Sequence, residues 1–167
     1  MRALLIAAAL VFSRPASADW RVSHETDPST GRMTAVAKLP ALAGPAMLRV
    51  SCLDGRIVPA LVFEMSIVPA MGLGDVRTVL RYDDEAPHGL LAPLSASGRD
   101  LWAWSGNPHA GVRRLTKARR LRVRVSPQGA DPFGVEFDLR GADQAVRQVK
   151  CEAEHKKSAP MSYRPPG

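Results

Sequence analysis

The chain has 167 residues, 46% of them hydrophobic and 23% charged, which suits one globular domain and excludes global disorder. Two cysteines exclude a disulfide-dense miniprotein, and four scattered histidines supply no zinc-ribbon spacing. Lys and Arg number 23 against 16 Asp and Glu, a net charge of +7, so any charge-driven partner is anionic.

Arg2 is followed by the apolar run Ala3–Phe12, then by Ser13, Arg14 and Pro15, and by the small residues Ala16-Ser17-Ala18. This order is that of a secretory signal peptide over residues 1–18, cut before Asp19. The run is too short for a membrane-spanning helix, which needs about 20 apolar residues. The expected localisation is periplasmic or secreted, with no transmembrane segment in the mature chain. In an oxidising compartment Cys52 and Cys151 are expected to form one disulfide; no CxxC spacing or neighbouring histidine favours a redox or metal pair.

Residues 19–154 are expected to form the folded domain. A short strand is expected at Trp20–Ser23, a loop at Asp27–Gly31 and a strand at Met33–Leu39, followed by a break from Pro40 to Pro45. In Met47–Leu53 the residues Leu48, Val50 and Cys52 alternate with Arg49 and Ser51, the period of a half-buried strand with Cys52 on its core side. Asp54-Gly55 is a tight-turn signal, and Ile57–Met65 the return strand, with Pro59 marking an edge or bulge. After a turn at Pro69–Gly74, Val76, Thr78, Leu80 and Tyr82 alternate with Arg77, Val79 and Arg81 in a further strand. Asp83-Asp84-Glu85 reads as a solvated acidic knot, lacking the interleaved oxygen ligands of a calcium loop.

Residues 86–100, with Pro87, Gly89, Pro93 and Gly98, read as a long connection, and Leu101–Trp104 as a short aromatic strand. A turn at Gly106-Asn107-Pro108 leads to one or two helical turns within Ala110–Ala118. Leu121, Val123 and Val125 then alternate with Arg120, Arg122 and Arg124, and Phe133–Leu139 is a strand with Phe133, Val135, Phe137 and Leu139 inward. From Gly141 the period changes: Ala142, Val146 and Val149 mark a closing helix that the disulfide would staple to the strand ending at Cys52. Residues 155–167 read as a disordered, basic, Pro-rich tail. The fold class expected is mainly β: an antiparallel β-sandwich or open barrel of about seven or eight strands with a C-terminal helix.

Seven cations and no acid occur from Arg113 to Arg124: Arg113, Arg114, Lys117, Arg119, Arg120, Arg122 and Arg124. They are candidates for contact with an anionic polymer or a partner protein; the plainer reading is the solvated side of a half-buried strand. No aromatic residue is interleaved with them, which disfavours nucleic acid. Trp102 and Trp104 would share one strand face, as a surface platform or as core. No cofactor and no metal are expected: His24, His88, His109 and His155 lack ligand spacing, and no serine lies in GxSxG or SxxK. A small hydrolase with an unrecognised site is the remaining enzymatic reading.

Arg120–Pro127, Asp131-Pro132, Val135–Gly141 and the cysteine after the last helix resemble the end of the type VI secretion-associated periplasmic proteins of the TagO/VasI type. Trp20, Asp27-Pro28, Leu48–Cys52 with Asp54-Gly55, Val79–Asp83 and Trp104-Ser105-Gly106 extend the similarity over most of the mature chain. A broader group of exported β-sandwich domains shares these features. The Lys-Cys-Glu context of Cys151, the Pro-rich tail after it and the small Ala142 depart from the family pattern. The resemblance implies a non-catalytic accessory or adaptor protein of the envelope that binds an envelope or secretion-machine protein, and it brings no active site with it.

Overall fold

The computed structural model describes residues 19–26, 31–67 and 74–151. The expected signal peptide, most of the loop at Asp27–Gly31, most of the turn at Pro69–Gly74 and the tail with His155 lie outside the described residues.

The chain is mainly β and forms two antiparallel sheets. β1 (Arg21–Thr26), β2 (Met33–Pro40), β3 (Ala46–Leu53), β4 (Arg56–Phe63) and the short β7 (Asp100–Leu101) make a five-stranded sheet in the order β1-β2-β3-β4-β7. β5 (Asp75–Tyr82), β6 (His88–Pro93), β8 (Arg120–Ser126) and β9 (Phe133–Asp138) make the other, in the order β6-β5-β8-β9. The sheets face one another and do not close into a barrel.

Alternation decides which side chains meet between the layers. Leu39, Leu48, Leu61 and Leu101 stand in register across β2, β3, β4 and β7, all at 0% exposure. Against this row of leucines pack Val76, Leu80 and Tyr82 of β5, Leu121, Val123 and Val125 of β8, and Val135 and Phe137 of β9. Burying each such side chain contributes about 1.5–3 kcal/mol, so this interface supplies most of the driving force.

The four-stranded sheet leaves one end of the five-stranded one uncovered, and the helices fill it. α1 (Pro108–Lys117) packs on β4, and α2 (Ala142–Gln148) lies over the paired Ala37 and Val50 through Ala145 and Val146, joined by Val149. The disulfide Cys52–Cys151, with 5.4 Å between the Cα atoms, ties the chain after α2 to the end of β3, as expected.

Turn chemistry sets the registers. Asp54 (φ 49°) and Gly55 (φ 71°) form the two-residue loop between β3 and β4, in the left-handed conformation that matches strand twist. Such a loop makes Leu53 and Arg56 a hydrogen-bonded pair, and the alternation that follows leaves Val50 and Pro59 a non-bonded one. The missing N–H of Pro59 therefore faces the β7 side, where β7 pairs only Leu61 and Val62. The proline sits where β4 is locally an edge.

The structure corrects the reading of residues 86–104. The long connection contains β6, a true strand paired with β5 from His88 to Pro93. Pro87 precedes it, Pro93 ends it and Gly89 is exposed, positions an edge strand tolerates. The aromatic strand shrinks to Asp100–Leu101. Trp102–Gly106 is a turn in which Ser105 N donates to Trp102 O and Asn107 N to Trp104 O. α1 is longer than expected because the Asn107 side chain accepts from Ala110 N and Pro108 occupies its first turn. β1 runs from Arg21 to Thr26, three residues beyond the expected end of that strand.

Candidate functional site

Because β8 buries Leu121, Val123 and Val125, it must turn Arg120, Arg122 and Arg124 to the outer face of the four-stranded sheet. β5 obeys the same rule beside it. It buries Val76, Thr78, Leu80 and Tyr82 and presents Arg77, Val79 and Arg81. The antiparallel register then sets Arg81 directly across from Arg122, and Val79 across from Arg124. Five arginines consequently share one open sheet face, with Leu91 of β6 opposite Arg77 at its rim.

β9 brings two acids to this face, and β5 brings a third, the exposed Asp75 in phase with Arg77. Glu136 stands across from Arg122, its Oε1 3.1 Å from Arg120 Nε and its Oε2 3.7 Å from Arg122 Nε. Asp138 is opposite Arg120, but its carboxylate accepts from Arg140 instead, with Arg140 Nε 2.9 Å from both oxygens. Those hydrogen bonds hold the Asp138 carboxyl below its ordinary range, against a smaller upward push from burial. Arg77, Arg81 and Arg124 have no ion pair among the described residues. Arg81 Nε is enclosed and has no hydrogen-bond acceptor among the described residues.

The contiguous cation run of the sequence is divided. Arg113 and Lys117 are exposed on α1, which packs on the other sheet. Arg114 lies 4.7 Å from the centre of the Tyr82 ring and pairs with Glu85. Arg119 and Arg120 donate their backbone N–H groups to Asp83, at 3.0 and 2.8 Å, so this acid fixes the start of β8. The solvated acidic knot is thus two tied residues, Asp83 and Glu85, beside an exposed Asp84.

The tryptophans are also separated, since they lie on a turn. Trp104 is 6% exposed and donates from Nε1 to Tyr82 Oη at 2.8 Å. Trp102 is half-buried beneath the Arg49 guanidinium, 5.8 Å from its ring centre, and Arg49 pairs with Asp100 at 3.0 Å. Trp102 borders an open cleft of about 590 Å³ with Leu53, Arg56, Val58 and Pro108. Among the described residues, no three His, Cys, Asp or Glu side chains converge on a point, and no helix is long and apolar enough to cross a membrane.

No protein family, curated protein or solved structure matches the chain. The case for a site therefore rests on the arginine face. Sequence reasoning found three of its members and missed Arg77 and Arg81, whose signal was their phase: in β5 they alternate with the buried residues as the β8 arginines do.

Proposed function

We propose that the chain is an exported, non-catalytic accessory protein of the bacterial cell envelope that works by binding an anionic component through its arginine face. The observation that supports this is the direct juxtaposition of Arg81 and Arg122, flanked by Arg77 and Arg124, on a face where Glu136 pairs only with Arg120 and Arg122. Like charges placed across a strand pair destabilise a sheet, so an anionic partner that neutralises the cluster binds favourably. The resemblance to type VI secretion-associated periplasmic proteins supplies the setting, and the Cys52–Cys151 disulfide suits an oxidising compartment.

A protein partner has a second point of attachment available. Among the described residues the outer edge of β6 has no neighbouring strand before Pro93, where Trp102 N donates to Pro93 O, and Leu91 of β6 borders the arginines, so an extended segment could add to β6 and reach the face. The test is crosslinking and pull-down of the processed protein from intact cells, beside the Arg77→Glu/Arg124→Glu variant. Recovery of a secretion-machine or other acidic envelope component by the wild type alone is expected. Equal recovery by both forms, or an unprocessed cytosolic protein, would overturn the reading.

A further inference from the structure

We infer that Arg81 and Arg122 form a two-point clamp for a phosphomonoester group, presented as the headgroup of a membrane lipid. The inference rests on the arginine face being the contact surface, and it names the ligand chemistry.

Residues directly opposed on antiparallel strands have Cβ atoms about 4.5–5.5 Å apart, so the Arg81 and Arg122 side chains can converge on one small group. Arg81 has no ion pair among the described residues, and Arg122 meets only the Glu136 oxygen 3.7 Å away, on a carboxylate that it shares with Arg120. Two like charges directly across a strand pair repel, and a dianion brought between the two guanidiniums relieves that repulsion.

The number of ligand oxygens selects the chemistry. A guanidinium binds two oxygens side by side, so two of them facing one group are best met by three oxygens carrying close to two negative charges. A phosphomonoester has both properties. A carboxylate or a phosphodiester offers two free oxygens and one charge, enough for one arginine. Arg124 sits diagonally from Arg81, beside Val79, and Arg77 beyond it, so further anions of a charged surface find cations on either side of the clamp.

The apolar residues on the same face point to a lipid source. Val79 stands between Arg77 and Arg81, and Leu91, 64% exposed, lies across from Arg77 on the edge strand. A free phosphate gains nothing from them, whereas an interface presents hydrocarbon just beneath its headgroups.

The test is vesicle co-sedimentation of the chain from residue 19 onward. Phosphatidylcholine vesicles carry either phosphatidic acid, a monoester, or phosphatidylglycerol, a diester, at matched surface charge. The monoester vesicles are expected to bind about tenfold more tightly, and Arg81→Gln and Arg122→Gln each to abolish that preference. Lys117→Gln removes the same charge away from the arginine face, on α1, and is expected to keep it. Equal binding to both lipids would overturn the clamp and leave the arginine face standing. Competition by inorganic phosphate at the lipid-phosphate concentration would overturn the lipid source. Failure to bind either vesicle would overturn the inference, and failure to bind soluble polyphosphate as well would overturn the reading beneath it.

Discussion

Trp104 Nε1 donates a hydrogen bond of 2.8 Å to Tyr82 Oη inside the core, joining the turn before α1 to the last residue of β5. The bond buries two polar groups as a satisfied pair, and the Arg114 guanidinium closes over the Tyr82 ring. It holds the end of β5, and with it the Arg81 position, against the helical side of the molecule.

The buried Tyr82 phenol carries a pH signature. Burial raises the Tyr82 phenol above its ordinary value of 10.0, while the Trp104 hydrogen bond and the Arg114 charge pull it back more weakly. A raised folded-state value means that the contribution is complete below about 10 and is lost as pH rises through the folded value. Tyr82→Phe strands the buried indole N–H and is expected to lower stability by about 1–3 kcal/mol at neutral pH. Urea melts from about pH 8 to about pH 11 should show the wild type falling toward the variant. A gap that stays constant across that range would contradict the assignment.

Gly111 tests the same region by volume. Within α1 an alanine would ordinarily gain up to about 1 kcal/mol over glycine. Here a Cβ would lie 2.4, 2.7 and 2.9 Å from Cδ1, Cγ and Cβ of Trp104. The indole is buried and hydrogen-bonded, so it cannot give way, and overpacking of this kind costs about 1–3 kcal/mol. Gly111→Ala is expected to destabilise the wild type by denaturant melts and to cost less in a Trp104→Ala background, where only the 2.9 Å contact with the residue-104 Cβ remains. Stabilisation in both backgrounds would refute the contact.

The disulfide joins residues 99 positions apart, spanning most of the fold. In the chain-entropy account a loop of that size is worth about 4–5 kcal/mol, so reduction or Cys52→Ala/Cys151→Ala should lower stability by up to that amount. Hydrogen exchange should show α2 loosening first, because beyond the disulfide its cover over Ala37 and Val50 is only Ala145, Val146 and Val149. An unchanged denaturation midpoint would show that the staple does not constrain the unfolded chain.

The parts of the fold legible in the sequence are strands with one wet face and one dry face. β5 and β8 announce themselves because every second residue except Thr78 is apolar and the intervening ones are mostly arginine. β6 was hidden, since Pro87, Gly89 and Pro93 signal a loop unless the strand lies on an edge, and edge position is a tertiary fact. Trp102 and Trp104 gave the opposite error: their spacing matches a strand face, yet local backbone hydrogen bonds fold them into a turn. The site was half legible for the same reason. The phase of Arg120, Arg122 and Arg124 follows from β8 alone, whereas their union with Arg77 and Arg81 depends on the β5–β8 register, which no local pattern encodes.

The arginine face as contact surface is tested most directly by retention of the chain from residue 19 onward on an immobilised polyphosphate column under a rising salt gradient. Two triple variants with the same charge change are compared, Arg77→Glu/Arg81→Glu/Arg124→Glu on the face and Arg113→Glu/Lys117→Glu/Arg119→Glu away from it. The wild type should elute late with steep salt dependence, the face variant should pass near the void, and the helix-side variant should stay close to the wild type. Equal loss of retention in the two variants would mean that net charge alone drives binding and that the face is only solvated.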